Sequence, residues 1–486
     1  MLLGLALRLY DLGGESLWLD EGLSLAKGGL PLGELLAYAR SEYHPPLYLI
    51  LLHGWLGLTG PTIEGARGFS ALVGTVTIAL LGLLAGRLFD RRTGLLAALF
   101  LALSTFHLHY SQEARNYALV GLFAVASALG LVRSLEGGRR LDGLGYALAT
   151  ALLLYTHALG FFVLLAQAMF VVPWAWADPA RRPALVRWAG WAAVALLLYV
   201  PWAGVLLTQL HRVDSGFWIP RPRPSFLART LLEWGGSAPG LLAYSVLGGL
   251  ACWRAVHAPS PAGPPPEQPG PSAAGLSPRG AAAYLALGAT VPLLGPYLLS
   301  LVSAPVYLTR VTLPGFLAYI ALAAAGAGRL VTRPGGRILI AGLALIMVFD
   351  LGVYYRDVNK EPWRPATAWL DARARPGDLV LFDAGYTLGY CYAYYSQRRD
   401  LGLERVPPAG DVASREAFLR RLGAPRDRGT VWLVLSHSGA GLDRLRLELD
   451  RFGDRTESER FEYWTYGSTF RRAFVGIEIE RYDRAQ

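Results

Sequence analysis

Charge is scarce in this chain. Asp, Glu, Lys and Arg make up 17% of its 486 residues, where a soluble protein carries about a quarter. With 53% hydrophobic residues and a mean hydropathy of +0.33, that scarcity argues against a soluble globule and for a membrane protein. Cysteine is nearly absent as well. Cys252 lies in an apolar run and Cys391 in the polar C-terminal part, so neither a disulfide framework nor a cysteine-based metal site is expected. The net charge of +10 comes without a basic stripe interleaved with base-stacking aromatics, which argues against nucleic-acid binding. The start of the chain lacks the basic n-region and small-residue cleavage site of a signal peptide. Met1 to Tyr10 is apolar but too short to span a bilayer, and is read as a first helix whose beginning is missing.

Apolar runs near spanning length occur at 70–89, 95–110, 114–134, 142–157, 159–177, 186–206, 241–256, 282–301, 311–328 and 337–353. With the truncated first helix they give about eleven spans. Arginines mark every second loop: Arg87, Arg91 and Arg92; Arg133, Arg139 and Arg140; Arg181, Arg182 and Arg187; and Arg329, Arg333 and Arg337. Basic loops are cytoplasmic, so the alternate loops, including a long first loop at 10–69, face outside. Within that loop "HPPLYLILLHGWLGL", His44 to Leu58, is too short to span comfortably and reads as an interfacial or re-entrant helix opening at the Pro pair. A Pro-, Gly- and Ser-rich stretch at 257–280 reads as a flexible cytoplasmic linker.

The polar tail alternates strand-like "GDLVLFDA", "TVWLVLSHS" and "FVGIEIERY" with helix-like "PATAWLDARA", "REAFLRRLG" and "LDRLRLELDRF", the pattern of a small α/β domain. The expected organisation is therefore a mainly α, polytopic membrane domain at 1–353 and an α/β domain at 354–486, outside because the span count is odd.

Few ionisable residues remain at the outer boundary, and charges placed there usually have a role. The stretch "GGESLWLDEGLSL" from Gly13 to Leu25 sets Glu15, Asp20 and Glu21 beside Trp18 just after the first apolar run. Acids there can cap a helix. They can also act as bases, since a carboxylate in a partly desolvated, Trp-flanked loop gains basicity. Glu42, His44, Glu64, Arg67, His107, His109, Glu113, Arg115, His157 and Arg310 complete the boundary set. His107 and His109 are read as interfacial. Arg115 and Arg310, and with them Arg67, are placed to hold phosphate oxygens through bidentate guanidinium contacts.

The series "LRLYDLGGESLWLDEGLS", "HPPLY", "EGARGFSALVG", "YSQEARNYAL", "YLTRVTLPGFLAYIAL" and "KEPWRPATAWL" resembles the family 39 membrane glycosyltransferases of the GT-C superfold, which include protein O-mannosyltransferases and lipid A aminoarabinose transferase. The resemblance is good over 1–135, moderate over 300–385, and one of hydropathy alone between them. It implies transfer of a sugar from a polyprenyl-phosphate carrier to a hydroxyl of a protein, glycan or lipid at the outer face of a bacterial cytoplasmic membrane. By the same resemblance Asp20 acts at the acceptor with Glu21 as its partner. Read from the residues themselves, the candidate substrate contacts are His44, Arg67, Arg115, Tyr117, His157 and Arg310, together with Trp363 and Arg364, which either reach toward the sugar or phosphate or anchor the hinge at the interface. "YH" precedes the Pro pair where the aminoarabinose transferase has an acid and a lysine. No cofactor is required by this reading, and a divalent ion remains an option, with His44 and Glu42 as its ligands and Asp20 or His157 completing a mixed N/O set. The alternatives are a lipid-linked sugar flippase or polysaccharide transporter, for which paired interrupted helices in two halves are missing, and a membrane-anchored carbohydrate-binding protein.

Overall fold

A computed structural model describes residues 1–137, 139–214, 219–257, 276–408, 410–422, 429–437, 441–464 and 473–484. Most of the Pro-rich linker lies outside the described residues. The chain divides into two units. One comprises residues 1–12 and 28–354; the other comprises 13–27 and the described residues from 355 onward. The acidic stretch Gly13 to Lys27 thus belongs with the C-terminal unit, whereas the sequence placed all of 10–69 with the membrane part. The reason is polar: its partners are the side chains of residues 359–364, described below.

The first unit is a multi-pass helical bundle. Seven described helices are long and apolar enough to cross a membrane: Ile63–Leu88, Tyr117–Leu135, Ala158–Trp176, Pro179–His211, Pro278–Val302, Thr309–Leu330 and Pro334–Arg356. The bent pair Arg91–Leu103 and Thr105–Ser111 makes an eighth if taken as one span. The runs at 142–157 and 241–256 form the helices Arg140–Thr156 and Ala238–His257, which are not among the seven. The Pro-pair segment forms the 13-residue helix Leu47–Thr59, below spanning length.

Local chemistry sets the helix starts. Thr62 accepts a hydrogen bond from Gly65 N (3.0 Å) and Asp90 one from Thr93 N (2.8 Å), satisfying amides that have no partner within their helices. Small residues let backbones approach where lipid gives no hydrophobic drive. Gly94 packs so closely on Gly82 and Gly86 that a Cβ on it would meet Gly82 O at 2.5 Å and Gly86 Cα at 3.0 Å. Polar side chains add interhelical bonds: Gln167 accepts from Tyr146 OH (2.9 Å) and donates to Ser127 Oγ (2.9 Å).

The bent pair turns by 64° at Ser104, which removes helical partners from the preceding carbonyls. Arg8 of the short first helix Leu2–Leu9 supplies replacements. Fully buried, it donates to Leu101 O (3.1 Å) and Ala102 O (3.3 Å) and lies 2.7 Å from His107 Nδ1. His107 and His109 are therefore inside the bundle, 1% and 7% exposed, rather than interfacial as the sequence suggested. Their buried partners hold them there.

The second unit carries a five-stranded sheet. Its strands are β1 (Leu379–Phe382), β2 (Gly402–Arg405), β3 (Thr430–Leu435), β4 (Gly453–Trp464) and β5 (Ala473–Arg484), in the order β2-β1-β3-β5-β4. β1 pairs in parallel with both β2 and β3, while β5 runs antiparallel to β3 and β4. β1 and β3 are buried at every residue, because both sheet faces are covered. Trp363–Arg373 and the turns at 385–395 cover one face, against Val380, Phe382, Trp432 and Val434. Val412–Leu422 and Leu442–Phe452 cover the other, against Leu379, Leu381, Val431 and Leu433. The sequence pattern marked three of the five strands. β2 is four residues long, and β4, "GDRTESERFEYW", is a charged, largely exposed edge without apolar alternation, as edge strands often are.

Candidate functional site

Within the membrane unit, four of the boundary residues converge together with Tyr117. Arg115 and Tyr117 sit on the turn and helix start following Thr105–Ser111, and Asn116 ties that turn to the end of Arg140–Thr156 by donating to Thr156 O (3.0 Å). His157 caps the same helix, and its Nδ1 accepts from Leu159 N (3.1 Å). Arg310 lies on the short turn Thr309–Thr312 ahead of Leu313–Leu330. Its guanidinium is 5.5 Å from the centroid of the Tyr117 ring, a cation–π distance. The Tyr117 and His157 rings are 6.4 Å apart, and those of His157 and His44 5.3 Å.

Electrostatics ties the group together. The His44 imidazole titrates well below its ordinary value, first because it is desolvated and then because Arg115, His157 and Arg310 repel its proton. The local positive charge is therefore carried by two guanidinium groups beside neutral imidazoles, a donor-rich and cationic environment suited to phosphate oxygens. Arg67 behaves differently. It is 2% exposed, and its Nη1 donates to Leu12 O at 2.7 Å, bracing the exit of the first helix. Glu42 ends the helix Leu32–Ser41, half-buried. Among the described residues no three His, Cys, Asp or Glu side chains converge as a metal-binding group.

The three acids of the first loop have separate environments in the C-terminal unit. Glu15 accepts from both Asn359 N (2.9 Å) and Asn359 Nδ2 (3.0 Å). Glu21, 1% exposed, pairs with Lys360 Nζ at 3.0 Å, itself 4% exposed. Asp20 is half-buried in the first turn of Leu19–Gly28. Arg364 donates to Gly13 O (2.7 Å) and Gly14 O (3.0 Å), and its own amide donates to Ser16 Oγ (3.1 Å). Tyr395 OH accepts from Leu17 N (2.7 Å). "GGESL" and "NKEPWRP" are thus laced together. Trp363, expected near substrate, is 1% exposed in the core, its Nε1 donating to Glu361 Oε2 (3.0 Å).

Sequence reasoning passed over several residues here. Glu361 Oε1 lies 2.6 Å from His437 Nε2. Burial lowers the His437 pKa, but the hydrogen bond and charge of Glu361, with the charge of Asp20, more than offset it, so the net shift is upward. His437 also holds a left-handed backbone at φ 53°, a conformation that costs a non-glycine residue about 1–3 kcal/mol. Tyr386 feels Glu361, Asp383 and Asp20 in turn, after burial, and its pKa is raised. In the membrane unit, the buried Asp350 accepts from Ser237 Oγ at 2.8 Å. A lone acid inside "LIMVFDLGVYY" was the available signal for Asp350. For His437 there was none beyond its place after a strand.

The fold is that of the GT-C membrane glycosyltransferases. Residues 43–207 match the family model described as dolichyl-phosphate-mannose-protein mannosyltransferase. Among solved structures, the chain is similar to ArnT from Cupriavidus metallidurans in the apo state, with a TM-score of 0.56 at 14% identity over 98% of this chain and 96% of that one. The form of that protein bound to undecaprenyl phosphate gives 0.55 at 15% identity, over 99% and 96% of the two chains. The archaeal oligosaccharyltransferase AglB from Archaeoglobus fulgidus, in complex with an inhibitory peptide and a dolichol-phosphate, gives 0.51 at 10% identity, over 98% and 73%. No curated protein matches the chain.

Proposed function

We propose that the protein is a glycosyltransferase of a bacterial cytoplasmic membrane, moving a sugar from a polyprenyl-phosphate carrier to an acceptor hydroxyl at the outer face. The observation that carries this reading is the convergence of Arg115, Arg310, Tyr117, His44 and His157 in the membrane unit, within a fold shared with enzymes solved with undecaprenyl phosphate and dolichol-phosphate.

In the membrane unit the guanidinium groups of Arg115 and Arg310 hold the phosphate of the donor. The acceptor oxygen attacks the anomeric carbon as the bond from that carbon to the phosphate oxygen breaks, with inversion. The electron pair leaves on polyprenyl phosphate, whose added negative charge the two arginines compensate without a proton donor. Asp20 takes the hydroxyl proton, and Glu21 acts indirectly, fixing the helix that carries Asp20 through its bond to Lys360. Arg364 acts in the same way, bracing the 13–16 stretch, while Trp363 holds Glu361 from the core.

Asp20→Asn tests the reading. It removes the base and keeps the shape, so transfer falls on the order of a hundredfold or more, while binding of polyprenyl phosphate persists. Near-normal turnover by a folded Asp20→Asn protein refutes the assignment.

A further inference from the structure

The C-terminal ends of β1 and β3 lie at one edge of the sheet because the two strands run parallel in register, Leu379 beside Val431 and Phe382 beside Val434. Open α/β sheets bind ligands outside the carboxyl ends of their parallel strands. Asp383 and Tyr386 follow β1, while Ser436 and His437 follow β3. The Tyr386 ring is 46% exposed, with its centroid 6.5 Å from that of His437 and the two planes tilted by 49°. His437 is 38% exposed and anchored by Glu361, whose other oxygen is held by Trp363. Asp383 is turned to the other sheet face, against Arg415 at 3.4 Å. That leaves the edge to the Tyr386 ring, the His437 imidazole and the Glu361 carboxylate, with the charge of Asp20 acting on both Tyr386 and His437.

A separate observation points to a ligand. Ser436 is 4% exposed, and its Oγ has no hydrogen-bond partner among the described residues. Strand alternation puts it on the face of Trp432 and Val434, the face against which Trp363 packs. A buried hydroxyl left unsatisfied is uncommon, and here it adjoins His437. The left-handed backbone of His437 is a second departure from the relaxed state at the same edge, of the kind found where a ligand is held.

We propose that this edge is a saccharide-binding subsite for the acceptor. Tyr386 lies against a sugar ring, and the free ring nitrogen of His437, the Ser436 hydroxyl and the Asp20 carboxylate take its hydroxyls. An exposed aromatic face beside groups that both donate and accept suits a polyol ring better than a peptide, whose backbone would pair along a strand edge. The inference rests on the glycosyltransferase reading, in which Asp20 works at the acceptor, and narrows that acceptor to a glycan or glycolipid headgroup.

The test uses the full chain in lipid nanodiscs, without donor, and saturation-transfer-difference NMR with a panel of neutral disaccharides (lactose, maltose, cellobiose and mannobiose) and a Ser/Thr-rich decapeptide. At least one disaccharide is expected to show ring-proton saturation that falls five-fold or more in Tyr386→Ala and in His437→Asn, and survives in Tyr386→Phe. Asn tolerates the left-handed backbone, and thermal unfolding checks each variant. Saturation of every saccharide that is unchanged by Tyr386→Ala, or Tyr386-dependent saturation of the peptide alone, overturns the subsite. Because the measurement needs no turnover, it is independent of Asp20→Asn. An active Asp20→Asn enzyme sinks the catalytic reading, and an inactive one with no Tyr386-dependent saccharide binding sinks only the subsite.

Discussion

Glu21 and Lys360 form an ion pair in the interior of the C-terminal unit, 1% and 4% exposed and 3.0 Å apart. Replacing Lys360 by Met leaves Glu21 buried without that cation. Breaking such a pair costs roughly 3–5 kcal/mol, because the remaining charge loses its compensation and cannot recover water. Glu21→Gln should cost less, since an amide carries no net charge to strand. The double variant Glu21→Gln/Lys360→Met should recover most of the loss, as a neutral pair of similar volume does. Stability is read by limited proteolysis and thermal unfolding of the purified protein, and transfer is measured on the same samples at a temperature where all variants are folded. If Glu21 serves only to hold the Asp20 helix, kcat follows folding and returns in the double variant. Loss of kcat by Glu21→Gln that is equal in both backgrounds, with stability intact, refutes the structural role and puts Glu21 in the chemistry.

Three further outcomes are expected. Arg115→Met and Arg310→Met should each weaken binding of polyprenyl phosphate by tenfold or more, and Lys at either position should restore it only in part, because a point charge lacks the bidentate fork; wild-type affinity in either Met variant, measured with short-chain polyprenyl phosphate, removes the shared phosphate site. The His437–Glu361 pair raises the folded pKa of His437 above its unfolded value, so its stabilisation is full below about pH 6.5 and fades as pH rises through the folded pKa. The wild-type advantage in thermal stability over His437→Gln should therefore shrink on going alkaline, and an advantage that grows with pH contradicts the pairing. Gly22→Ala should destabilise the C-terminal unit by about 1–3 kcal/mol, since its Cβ would collide with the backbone carbonyl of Tyr390; unaltered unfolding shows that the helix Leu19–Gly28 is not packed there.

Much of the fold was legible because its causes are local. Apolar runs make helices wherever they fall, Thr62 and Asp90 cap the helices that follow them, and the Pro pair opens a helix too short to cross. The buried strands β1 and β3 announced themselves as continuous apolar runs; β4 did not, because an exposed edge needs no apolar pattern. The site was legible only as residue types at a boundary. Composition and order in the sequence determined that arginines, histidines and acids would stand at the ends of membrane helices, since unneeded charge is costly there. Tertiary structure alone decided which of them meet: Arg310 with Tyr117, His44 with His157, and Glu21 with a lysine 339 residues away. It also decided that Glu15 and Glu21 are taken up by residues 359–360 while His437 shares the surroundings of Asp20. The physical reason is that helix caps and hydropathy act within a few residues, whereas the burial and charge that give a carboxylate its role come from segments that reach it only when the chain has folded.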